Sequence, residues 1–169
     1  KLGRATGVKY PTPVQIPSDA AAAALLAAAA DLGITLLDTA PAYGASEERL
    51  GVLLAGQRDR WTICTKVGES FDGATSHFDF SPLAIRESLE RSLRRLRTDR
   101  LDIVLLHSDG VVESAPARED ALLALLRARD AGLIRAIGAS TKTLDGAAWW
   151  ASRADVLMLT PPSPGDASP

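Results

Sequence analysis

Four side chains with complementary acid–base chemistry, Asp38, Tyr43, Lys66 and His107, stand at or just beyond the ends of short apolar runs. Ile34-Thr-Leu-Leu-Asp38 ends in a carboxylate, and a turn built from Pro41 and Gly44 then presents the phenol of Tyr43. Trp61-Thr-Ile-Cys-Thr-Lys66 ends in an amine and Leu101-Asp-Ile-Val-Leu-Leu-His107 in an imidazole, while Ile134-Arg-Ala-Ile-Gly-Ala-Ser140 ends in a hydroxyl. A phenol with a free pKa of about 10 is a poor proton donor at neutral pH unless something favours its anion. A lysine beside it does so, a carboxylate keeps that lysine charged and aimed, and an imidazole donates a hydrogen bond to an oxygen at the same spot. Such a set protonates an oxygen as negative charge develops on it, which suits reduction of a carbonyl by a hydride donor. Taken singly, each residue has an ordinary structural use. It is their arrival at successive run ends that points to chemistry.

The positioning elements follow from the spacing. Asp38, Lys66, His107 and Ser140 are separated by 28, 41 and 33 residues, each about one strand–helix unit, since a βαβ unit needs roughly 30 residues. Strands over 34–38, 61–66, 102–107, 134–139 and 155–160 are expected to lie parallel, with their polar ends on one face, where α/β proteins place their sites. Ser18 caps an alanine-rich helix that stops at Gly33. Ser46 is expected to cap a second helix, with Glu47 and Glu48 in its first turn, Leu50, Leu53 and Leu54 inward, and Gly56 as its stop. Ser81-Pro82 opens a third, with Ile85, Leu89, Leu93 and Leu96 inward and Glu87–Arg91 and Glu90–Arg94 pairs outside. Two more helices are expected over 116–131 and 143–153. Residues 68–80 read as a long loop whose Phe71, Phe78, Phe80 and His77 either cover the site or pin the loop to the rim. Residues 1–17 read as a loop or irregular hairpin. The division expected is one domain over 1–160 and a Pro-rich tail over 161–169.

Composition narrows the partners. The 169 residues are 46% hydrophobic with a net charge of −2, enough apolar content for one core and no general attraction to nucleic acid or anionic lipid. A small-molecule partner is therefore expected, and no metal-ligand set is apparent. The single cysteine, Cys64, lies inside an apolar run and reads as a buried structural thiol in a reducing compartment. No secretory signal is visible and no apolar run reaches the roughly 20 residues that span a bilayer, so a cytoplasmic location is expected.

Asp38-Thr-Ala-Pro-Ala-Tyr-Gly-Ala-Ser-Glu-Glu-Arg-Leu-Gly51, Thr65-Lys-Val-Gly68, Leu105-Leu-His-Ser108 and Gly132-Leu-Ile-Arg-Ala-Ile-Gly-Ala-Ser140 occur in an order and spacing that resemble the aldo-keto reductase family across residues 18–160. The resemblance implies a (β/α)8 TIM-barrel fold, NADPH-dependent reduction of aldehyde or ketone carbonyls, and a catalytic tetrad of Asp38, Tyr43, Lys66 and His107. It also implies that Asp38, Ser140 and Thr141 face the cofactor. Ser140 and Thr141 fall where the family usually has a Ser-Asn pair, so the second contact departs from its pattern. An eight-stranded barrel takes about 250 residues, and the five strands here resemble the family's second to sixth. The expectation is an incomplete barrel with about five of eight βα units, the first strand lying before Lys1 and the last two after Pro169, with the segments that usually grip the cofactor's phosphates. Its two open edges invite self-association. The competing expectation is a non-catalytic nucleotide-sensing or regulatory subunit, or an inactive fragment.

Overall fold

Five parallel strands follow one another across one sheet, each new strand beside its predecessor. A computed structural model describes residues 2–6, 15–108 and 117–159. Its elements are Asp19–Asp31 (α1), Leu36–Asp38 (β1), a 3₁₀ turn Pro41–Tyr43, Ser46–Leu53 (α2), Thr62–Val67 (β2), Glu69–Phe71 (β3), Ser76–Phe78 (β4) and Pro82–Leu96 (α3). Leu101–His107 (β5), Ala117–Asp130 (α4), Ile134–Thr141 (β6), Leu144–Ala151 (α5) and Val156–Leu159 (β7) complete them. The sheet order is β1-β2-β5-β6-β7, all parallel. A doubly wound sheet reverses its strand order partway, whereas sequential addition in one direction is how a (β/α)8 barrel is laid down. The described strands form a half-barrel, as the sequence leads one to expect.

The helices form because their apolar spacing suits burial on one side of this sheet. In α3, Ile85, Leu89 and Leu96 are buried at helical spacing, with Ser81 Oγ accepting from Ala84 N and Pro82 in the first turn. They meet Ile63, Val67, Val104, Leu106, Ile137 and Ala139 of the sheet, with Leu125 of α4 and Trp150 of α5, in one core. Fully burying an aliphatic side chain of this size is worth roughly 1.5–3 kcal/mol. Helices α2 and α3 touch through backbone: a Cβ on Gly51 would lie 2.1 Å from the carbonyl oxygen of Arg95. Only glycine permits that approach.

Several local expectations are corrected. Ser46 is not the cap of α2 but its first residue, because its Oγ is taken by the buried Thr39 hydroxyl, which donates to it at 2.9 Å. Among the described residues no ion pair joins Glu87 to Arg91 or Glu90 to Arg94, and the arginine that pairs is Arg95, 3.0 Å from Glu48 and 3.6 Å from Glu47. Residues 68–80 are not a plain loop but an antiparallel hairpin, β3–β4. Its turn is made by Asp72, whose Oδ1 accepts from the backbone of Ala74 and Thr75 at 2.8 Å, and by Gly73 at φ +104°. Strand ends otherwise move by only a residue or two. Residue 160, the tail 161–169 and most of the expected 1–17 irregular segment lie outside the described residues.

Candidate active site

Side chains alternate across a strand, and paired residues of adjacent strands share a face. Ile63 and Val67, Val104 and Leu106, and Ile137 and Ala139 belong to the helix-covered core, so their alternates occupy the opposite, concave face. Through the pairs Asp38↔Cys64, Lys66↔Leu105 and His107↔Ser140, that face collects Asp38, Lys66, His107 and Ser140 toward the carboxyl ends of four adjacent strands. Thr141 falls on the other side by the same alternation. Its hydroxyl is buried there and has no hydrogen-bond partner among the described residues.

At the centre is a buried amine. Lys66 is 1% exposed, and its Nζ donates to Asp38 Oδ1 at 2.7 Å and to the backbone carbonyl of Thr39 at 3.0 Å. A buried ammonium is tolerable only when so paired. The same Nζ lies 4.7 Å from the centroid of the Tyr43 ring. The Tyr43 ring in turn meets the His107 ring edge-on, with centroids 6.2 Å apart and planes at 87°. All four expected residues therefore gather at one mouth of the sheet, with the cation between the carboxylate and the phenol. Tyr43 is delivered by the 3₁₀ turn, which starts at buried Pro41 and ends at Gly44 with φ +61°.

Two further carboxylates belong to this neighbourhood. Glu69, on β3, brings Oε2 to 2.7 Å from His107 Nδ1, somewhat off the line of the ring N–H, while its Oε1 accepts from Ser76 Oγ at 2.6 Å. Burial pushes the Glu69 carboxyl up, but the contacts from His107 and Ser76 and the charges of His107 and Arg4 outweigh it and hold it below the ordinary carboxylate range. Glu47, on α2, is fully buried and accepts from Thr65 Oγ1 at 2.7 Å. Burial pushes its carboxyl up against the opposing effects of Thr65, Ser92 and Arg95. Cys64, buried among these strands, has its thiol pushed up to about 11, chiefly by burial, as suits an inert structural thiol.

Neither carboxylate stands out in the sequence. Glu47 read as a charge favourable to the helix dipole, although it lies on the stripe 47, 50, 54 that also carries Leu50 and Leu54. Glu69 was hidden by reading 68–80 as loop. The Asp72-Gly73 pair was the available signal for a hairpin. Of the aromatic residues there, Phe80 packs against Gly68 and the core, pinning the segment to the rim, whereas His77 is exposed and bound to Asp72 at 2.8 Å.

Residues 7–161 match the family model described as the aldo/keto reductase family. D-threo-aldose 1-dehydrogenase of Pseudomonas is 33% identical over 165 residues, which span 84% of this chain and 50% of that protein. The aldo-keto reductase YhdN of Bacillus subtilis is 36% identical over 140 residues, 80% of this chain and 41% of that one. The chain thus spans about half the length of the curated relatives it matches. An aldo-keto reductase of Bacillus halodurans, solved in its holo form, superposes with a TM-score of 0.75 at 28% identity over 85% of this chain and 49% of its own. The strand order, the Asp-Tyr-Lys-His cluster at one mouth and these matches agree: the chain belongs to the aldo/keto reductase family.

Proposed function

We propose that this chain carries the acid–base machinery of an oxidoreductase that reduces small aldehydes or ketones to alcohols with NADPH, with Tyr43 as proton donor. The observation that supports it most is the buried Lys66 amine shared between Asp38 and the Tyr43 ring. A nearby ammonium favours the phenolate, so it eases release of the Tyr43 proton to an oxygen gaining negative charge. Asp38 and the Thr39 carbonyl fix the amine's position. His107, edge-on to the Tyr43 ring, orients the same oxygen by hydrogen bonding. A nicotinamide cofactor, when bound, would supply the hydride for the carbonyl carbon. Ser140, level with His107 on the concave face, fits a contact to the nicotinamide carboxamide. The Thr141 hydroxyl, turned to the helices and unpartnered among the described residues, suits it less well, so the cofactor contact is assigned chiefly to Asp38 and Ser140. The relatives' names, an aldose dehydrogenase among them, favour small polar carbonyl compounds, and a cytoplasmic setting would supply NADPH.

The test is a titration of protein fluorescence with NADPH and with NADH, using Trp61, Trp149 and Trp150 as reporters, followed by loss of reduced-nicotinamide absorbance with a panel of aldehydes and ketones. Saturable quenching by NADPH and carbonyl-dependent oxidation of it are expected. A chain that binds NADPH yet turns over no member of the panel would point instead to a nucleotide-sensing role.

A further inference from the structure

Proton donation by Tyr43 leaves open what sets the hydrogen-bonding state of His107. Its Nδ1 is buried and, among the described residues, no group meets it with good hydrogen-bond geometry, but a Glu69 carboxylate oxygen lies 2.7 Å away. Two lone pairs at that separation repel, so the contact requires a proton between them. Glu69 is only 11% exposed, its other oxygen is held by Ser76, and its strand β3 packs against the Pro41–Tyr43 turn. The carboxylate is thus fixed from its own hairpin and is not a wandering surface group. Among the described residues, the charged or titratable groups around His107 are Tyr43 from the 3₁₀ turn and Glu69 from β3, with Lys66 of β2 and Asp38 of β1 on the same face of the sheet and Arg4 acting on Glu69. Among the described residues, Glu69 is the group found against an imidazole nitrogen.

We propose that Glu69 is a positioning residue that keeps the proton of His107 on Nδ1, so that Nε2 donates to a substrate carbonyl only when the ring is charged and otherwise presents a lone pair. The inference rests on the reading of His107 as the group that orients the substrate oxygen. Its consequence is a direction switch. The charged ring, with N–H on both nitrogens, suits a carbonyl oxygen and therefore reduction. The neutral ring, with its proton held at Nδ1 by Glu69, accepts a hydrogen bond at Nε2 from an alcohol hydroxyl and suits the reverse reaction. Without Glu69 the neutral ring is free to carry its proton on Nε2 and still donate.

Long-range proton–nitrogen correlation spectra read the tautomer directly, on the chain without cofactor or substrate. The two histidines are told apart with His77→Asn, at an exposed position. In the parent chain at alkaline pH, His107 is expected as the Nδ1–H tautomer, changing to Nε2–H in Glu69→Ala. In turnover, Glu69→Ala should keep carbonyl reduction at alkaline pH where the parent loses it, narrowing the parent's acid-to-alkaline fall by on the order of tenfold, the worth of a hydrogen bond at a charged group. An Nε2–H tautomer in the parent overturns the proposal, and that reading does not depend on the folding of Glu69→Ala. An unchanged Nδ1–H tautomer in Glu69→Ala overturns it too. Absence of any reduction, with the tautomers as expected, would count against the reductase reading and not against this one.

Discussion

Tyr43 owes its place to its neighbours. It sits beyond β1 on a short turn, and the Lys66 ammonium on one side and the His107 ring on the other define where its hydroxyl can act. Tyr43→Phe deletes that hydroxyl while leaving the ring contacts, so the expected outcome is a fall in turnover of about a hundred- to ten-thousand-fold, the usual worth of a positioned general acid. Fluorescence titration should show NADPH binding nearly unchanged, and wild-type rates in the variant would place the proton source elsewhere. The four central residues were legible in the sequence because each ends an apolar run, and parallel strands bring run ends together whatever lies between them. Glu69 was not. Its role depends on a hairpin that folds back over the Pro41–Tyr43 turn, a tertiary contact with no periodic signature in three-residue strands.

At the scale of elements, α2 is tied to β2 by a buried carboxylate. Glu47 accepts from Thr65, the neighbour of Lys66, and Gly51 one turn later lets α2 press against α3. Burial raises the Glu47 carboxyl above its ordinary value of 4.5, so the folded chain binds a proton there more tightly than the unfolded chain. Its contribution to stability is therefore greatest at low pH and declines as pH rises from about that ordinary value through the raised one. Glu69, Asp72 and Asp79 are lowered and act in the opposite sense, so the net profile hides the effect. Comparing denaturant melts of Glu47→Gln with the parent across this window isolates it. The variant keeps an acceptor for Thr65, and its stability relative to the parent should increase with pH. A constant difference would show that Glu47 binds its proton alike in the folded and unfolded chain. The helix pattern itself was readable, since Leu50 and Leu54 mark the inward face. A glutamate on that face reads only as a first-turn charge that suits the helix dipole, because single-helix reasoning does not see Thr65 waiting on the strand beneath.

For the molecule as a whole, the sheet has two edges, β1 and β7, each paired on one side only among the described strands. Around them Ile34, Leu36 and Leu159 are more than half exposed. The α5 helix beside β7 is better covered: Trp150 is 1% exposed and meets Trp149 edge-on at 5.0 Å, while Arg153 and Arg118 lie over the Trp149 ring. The strand edges thus add exposed apolar side chains to those on the helices, such as Leu144 at the start of α5, while the tryptophans stay covered. Unpaired backbone groups beside exposed leucine and isoleucine form a template for another strand. A preparation of these 169 residues alone is therefore expected to associate through its edges, with a light-scattering mass that climbs with concentration and falls when Leu36 and Leu159 are replaced by lysine. Leu36 shares the face of Asp38, whereas Leu159 lies at the opposite edge of the sheet, so the Leu159 substitution alone should show whether the site persists when an edge is blunted. A monodisperse monomer that unfolds cooperatively would mean that half of a barrel is self-sufficient, with the α1–α5 layer and one buried core enough to hold the strands in register.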